Sequence, residues 1–218
     1  MNVNILLNQI EQTGVGLSFI LFPILFIFAF AVHPGLLKPR LLNPKEIILR
    51  AHGNKLLQFG HVLVTLSTPL LVVVAMHFFK LLNPGPWGWA GYIGAALAIL
   101  GTIILAADKG ALCLTMSAFD TLPEKVFTQT MPGVMAMFTK KGWLVLLWGI
   151  VSLPIGFTIQ SIGLIAAHAI PLWQSLLFLI GVLLIAVPDG LEIINLSASV
   201  MMAIAFVPYG IQIIAKAL

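Results

Sequence analysis

Apolar residues in this chain come in long unbroken runs, not in the two-residue alternation of a half-buried strand or the narrow stripe of a water-facing helix. Gly14–Val32, Gly88–Ala107, Gly142–Gln160 and Leu172–Val187 carry no charged side chain. Gln58–Phe79 holds only His61 and His77 as titratable groups, and Leu191–Ile214 has one acid, Glu192. About 20 apolar residues cross a bilayer as a helix, and Leu172–Val187 is short for that task. The pattern predicts an all-α polytopic membrane protein, a bundle of about six transmembrane helices with amphipathic interfacial segments. Residues 1–218 are expected to form a single integral membrane domain. A transmembrane barrel needs segments of alternating polarity, and these runs have none.

The punctuation between runs is equally specific. Val3, Ile5, Leu6, Leu7 and Ile10 sit among Asn and Gln, which predicts a short interfacial helix ahead of the first span. His33-Pro34-Gly35 ends that span. Asn43-Pro44-Lys45-Glu46 has an N-cap, Pro at the first helical position and Glu at the third. From Pro44 to Phe79 no residue forces a stop, so one long helix is expected, weakened at Gly53 and Gly60. Leu82-Asn83-Pro84-Gly85-Pro86 ends it, and Trp87 and Trp89 mark a membrane–water boundary. Asp108 and Lys109 are expected where the third span leaves the bilayer. Thr121-Leu122-Pro123-Glu124 reads as a second capping box, and Pro188-Asp189-Gly190-Leu191-Glu192 as a third. Phe127, Met131, Val134, Met135 and Phe138 fall on one helical stripe, with Pro132 expected to kink or split the helix. That stripe, flanked by Lys125, Lys140 and Lys141, is expected to lie on the membrane surface. Leu41-Leu42-Asn43-Pro44 returns as Leu81-Leu82-Asn83-Pro84, but the flanks do not repeat, so this is turn chemistry.

Composition narrows the class. Sixty per cent of the 218 residues are hydrophobic and 8% are charged, against about 45–50% and 25% in soluble domains. The mean hydropathy is +1.09. Soluble, disordered, collagen-like and disulfide-rich classes are excluded. The net charge of +4 comes from loops and carries no nucleic-acid signal. Of 11 Lys and Arg, nine fall in residues 34–57 and 108–141, and only Lys80 and Lys216 fall elsewhere. By the positive-inside rule those two loops are expected to be cytoplasmic and both termini outside. This suits a bacterial inner membrane or an equivalent organelle membrane. Met1–Gln12 holds no Lys or Arg, so the first run is expected to be a retained helix and not a cleaved signal. Cys113 is the single cysteine, which removes dithiol chemistry.

Candidate chemistry is sparse. No P-loop, G-x-S-x-G, H-E-x-x-H or acidic metal cluster is present. Asp189 and Glu192 are expected to serve a helix N-terminus, which leaves no acid at mid-membrane for ion coupling. The histidines are the best lead, as axial ligands of haem b or as partners of a quinone. His61 and His77 are 16 residues apart, ~24 Å along a helix, so each would serve its own group. His33 and His52 belong with His61 by topology, and His168 belongs with His77. Gly91/Ala95 and Gly94/Ala98 form small-xxx-small pairs that let helices approach closely, within the bundle or between subunits. Asn195 and Ser199, one turn apart, would bond a neighbouring helix or line a polar pocket. Gln160, Ser161, Gln174 and Ser175 would form an outer vestibule.

Three functions stand as expectations. The leading one is a membrane subunit that anchors or scaffolds a larger complex, or self-associates, with the lipid bilayer as its other partner and without a catalytic role of its own. The alternatives are a transporter or channel for small solutes or lipids, needing a polar path between the fourth and sixth spans, and an electron-transfer protein binding haem b or quinone.

Overall fold

The computed structural model describes residues 3–138, 144–185, 187 and 190–217, with side chains left out for Phe138 and residues 144–149. Lys140, Lys141, Pro188 and Asp189 therefore lie outside the described residues. The described residues form eight helices: α1 (Val3–Ala31), α2 (Pro44–Ala51), α3 (Lys55–Leu82), α4 (Gly88–Phe119), α5 (Glu124–Phe138), α6 (Leu144–Ala166), α7 (Leu172–Leu184) and α8 (Glu192–Ala217). No strand occurs among the described residues.

Four helices, α1, α3, α4 and α8, are long and apolar enough to cross a membrane. Ile150–Ala166 of α6 and the 13-residue α7 are apolar but shorter. The six long or apolar helices pack side by side in the order α1, α3, α4, α6, α7, α8, and α8 closes back on α1. The end carrying α2 and α5 is here the basic end, and the opposite end the far end.

Several predicted boundaries move. Residues 3–12 are not a separate surface helix, because α1 runs unbroken through 29 residues, about 43 Å. The long helix expected from Pro44 breaks at His52-Gly53-Asn54, where Gly53 takes φ +68 and Asn54 caps the new helix by accepting from Leu57 N–H. The third span does not end at Asp108. α4 continues to Phe119, a helix of 32 residues, and Asp108 is buried inside it. Pro132 neither splits α5 nor ends it. Thr121 does not cap α5; its hydroxyl donates to Ala118 O at 2.7 Å and closes the end of α4 instead.

Prolines inside the bundle helices lack an N–H, so each leaves a carbonyl one turn back without its ladder bond. In α3 the remedy is local. Pro69 would leave Thr65 O unpaired, and the Thr68 hydroxyl donates to that oxygen at 2.7 Å. This is the re-satisfaction that lets a bilayer helix carry proline.

The core is aromatic. Phe19, Phe22, Phe78, Phe178 and Phe206 are each no more than 2% exposed. The Phe178–Phe206 ring centroids are 4.6 Å apart, Phe19–Phe206 5.0 Å and Phe78–Phe178 5.4 Å. Such offset and edge contacts are the favoured geometries of aromatic pairs. A second, smaller core lies at the basic end, where Ile48 and Ala51 of α2 meet Leu57, Met116, Phe127 and Val134. Phe127 and Val134 of the α5 stripe, with Met131 and Met135 beside them, thus pack on α2 and the ends of α3 and α4. It is tertiary packing that an isolated helical stripe does not reveal.

Candidate functional site

Three places gather polar side chains. The first ties the small core at the basic end. Asp120, at the end of α4, accepts from Gly53 N–H at 2.8 Å and from Gln58 Nε2 at 2.6 Å. His52 Nδ1 lies 2.9 Å from Asp120 Oδ1, and its ring stacks on Phe127 at 4.0 Å with 10° between the planes. Burial pushes the Asp120 carboxyl up, but the Gln58 amide, the Gly53 N–H and His52 outweigh it and hold the group below its ordinary value of 3.8. One carboxylate thus clamps the α2–α3 break to the end of α4. Nearby, Asn43 and Glu46 form the predicted capping box. The Asn43 N–H and then Arg40 hold Glu46 below its usual range.

The second place is a buried polar layer in α6 and α7. Gln160 Nε2 donates to Ala75 O at 2.9 Å and Gly91 O at 3.3 Å, binding α6 to α3 and α4. One turn along from the Phe157–Phe178 contact, Gln160 and Ser161 face the level of Gln174 and Ser175. All four are 1% exposed or less. They are interior packing, not the open vestibule expected from sequence.

The third is a crevice of about 560 Å³ at the far end, between α1 and α3. Glu11 and Lys80 form an ion pair at its mouth. Gly14, Val15, Met76 and His77 line it one turn further in, and Ser18, Val72 and Val73 a turn beyond. His77 Nε2 and the Tyr209 hydroxyl are hydrogen-bonded at 2.9 Å, which joins α3 to α8 behind the crevice. Phe19 stands edge-on to His77 with centroids 5.3 Å apart.

The five candidate histidines are therefore dispersed. His33 and His61 come together, ring centroids 5.7 Å apart and planes at 42°, and His33 Nδ1–H donates to Ala29 O at 2.8 Å. His77 meets a tyrosine. His52 meets Asp120. His168 lies exposed in the α6–α7 turn with φ +50. Among the described residues no three His, Cys, Asp or Glu are placed to hold a metal ion. Asn195 and Ser199 are buried on α8, and the Ser199 hydroxyl donates to Asn195 O at 2.8 Å.

The small-residue face of α4 lies inside the chain. A Cβ on Gly94 would stand 2.5 Å from Gln160 Cγ and 2.8 Å from Gly156 O, and one on Gly91 3.0 Å from Leu82 Cβ. Ala95 and Ala98 are buried on the same helix. This face is occupied by α6 and α3, so it is not left open for a partner. Between α6 and α8, where a transporter would need its polar path, lies α7, with Phe178 in ring contact with both Phe157 and Phe206.

Sequence reasoning missed Tyr209, Glu11, Gly14 and Lys80 as site residues. The available signal was isolation: Glu11 is the sole charged residue before Lys38, and Lys80 the sole Lys or Arg between Lys55 and Lys109. Comparison with known protein families, with characterised proteins and with solved structures finds no match for this chain.

Proposed function

We propose that this chain is an integral-membrane subunit that anchors a larger complex and receives an acidic partner at its basic end. The observation that carries the reading is the division of the molecule into an aromatic-filled bundle and a separate helical platform. Interlocked phenyl rings fill the centre of the bundle, a construction that suits holding position better than passing solutes. The platform of α2 and α5 is tied down by Asp120 and His52, and nine of the 11 Lys and Arg fall in residues 34–57 and 108–141, the two stretches that contain it. We further read the bundle as crossing an inner or organelle membrane six times, α6 and α7 included, with the basic end cytoplasmic and both termini outside.

The test is isolation from the native membrane in a mild detergent, then blue-native electrophoresis and identification of stoichiometric companions. A discrete assembly larger than the chain, released by salt, is expected. A lone chain that instead drives solute flux into reconstituted vesicles would overturn the reading in favour of transport. A reduction-sensitive absorption spectrum would overturn it in favour of electron transfer.

A further inference from the structure

The crevice between α1 and α3 is graded along its length. α1 runs opposite to α3, so Glu11 meets Lys80, Gly14 and Val15 lie level with Met76 and His77, and Ser18 lies level with Val73. From Lys80 to Val72 is eight residues, about 12 Å. The mouth carries one negative and one positive charge, half or more exposed. Beyond His77, whose Nε2 is bonded to Tyr209, the lining is apolar, because the one hydroxyl there, Ser18, donates to Gly14 O of its own helix at 2.8 Å and is spent. Ile10 and Met76, 60% and 39% exposed, line the opening on the outside of the bundle. At Gly14 the space is open: a Cβ there would meet nothing within 4 Å. That contrasts with Gly16 two residues on, whose Cβ would stand 2.6 Å from Gly210 O.

We propose that this crevice holds one phospholipid with a phosphoethanolamine headgroup, the headgroup lying across Glu11 and Lys80 and one acyl chain along Val15, Val72, Val73 and Met76. The charge pattern selects the class. An anionic headgroup would satisfy Lys80 but be repelled by Glu11, whereas a zwitterion complements both. A primary ammonium donates N–H bonds to the Glu11 carboxylate, which a quaternary choline does not. Its site is at the end opposite the platform, so it is independent of the anchoring role.

The experiment is native mass spectrometry of the delipidated full chain, titrated separately with palmitoyl-oleoyl phosphatidylethanolamine, phosphatidylcholine and phosphatidylglycerol. One retained phosphatidylethanolamine is expected, held at least tenfold more strongly than the other two. Gly14→Leu starts from a Cβ position with nothing within 4 Å and directs its side chain into the crevice; it is expected to weaken retention at least tenfold with unchanged thermal unfolding. The double change Glu11→Gln with Lys80→Gln alters only exposed side chains and is expected to remove the headgroup preference while leaving chain binding. Equal retention by Gly14→Leu, a preference for phosphatidylglycerol, or the same headgroup preference in the double variant would each overturn the proposal.

Discussion

Gly156 of α6 and Ala98 of α4 touch at backbone level: a Cβ on Gly156 would lie 2.3 Å from the Ala98 nitrogen. No rotamer relieves a clash with main chain, so the two helices have to part to admit even a methyl group. Gly156→Ala is expected to destabilise by about 1–3 kcal/mol, read as a lower unfolding temperature in detergent. Gly133→Ala is the control. It sits in exposed helix with nothing within 4 Å of the added atom, and is expected to be neutral or to stabilise by up to ~1 kcal/mol.

Tyr209→Phe keeps the ring against Phe19, whose centroid is 5.0 Å away, but removes the hydroxyl from His77. The expected cost is about 1–2 kcal/mol, because the half-buried imidazole loses its partner as well as the bond. The variant should unfold at lower temperature. An unchanged midpoint would show that water replaces the hydroxyl without loss.

Asp120 gives the basic end an acid dependence. Its carboxyl titrates lower in the folded protein than its ordinary value of 3.8. Its contribution is therefore complete above about pH 4 and is lost as pH falls through the lowered folded value. Hydrogen exchange at Gly53 and along α2 should accelerate below pH 4 while the aromatic core stays protected. Asp120→Ala should produce the same local opening at neutral pH, at a cost of about 1–3 kcal/mol.

Gly190 adopts φ +101, and a Cβ there would stand 1.8 Å from Arg40 O. Its carbonyl also accepts from Arg40 N–H at 3.1 Å, so it pins the loop after α1 to the entry of α8. Gly190→Ala combines backbone strain of about 1–3 kcal/mol with that clash. It should free the loop, and faster tryptic cleavage after Arg40 is the measurement.

Features governed by local rules are legible in the sequence. The Asn43 capping box and the lipid-compatible runs need only neighbours within one turn. The tetrapeptide Leu-Leu-Asn-Pro shows the limit: Asn43 opens a helix with ψ 161, whereas Asn83 closes one with ψ −38. The flanks differ on both sides: Lys38-Pro39-Arg40 precedes one copy and Phe78-Phe79-Lys80 the other, and a capping Glu follows in one case and Gly-Pro in the other. Asp108 reads as a boundary because charge usually marks one, yet nothing from Ala107 to Phe119 breaks a helix except Gly110, which is tolerated. The α5 stripe has the right period, but its partner, Ile48, is about 80 residues away in sequence. His77 and Tyr209 are 132 apart, and no spacing rule links them. The crevice is less legible still, since it rests on one glycine having room and its near neighbour having none.

The glycine contacts also set the mechanics. α4 and α6 meet through Gly94, Gly101 and Gly156, and α1 and α8 through Gly16 and Gly210, all at main-chain distance. Each pair is thereby a rigid beam, with no side-chain cushion to slide on. α3 bridges the beams on one flank and α7 on the other. A scissoring of one beam against the other, with the phenyl rings between them as the bearing, would widen or narrow the α1–α3 crevice.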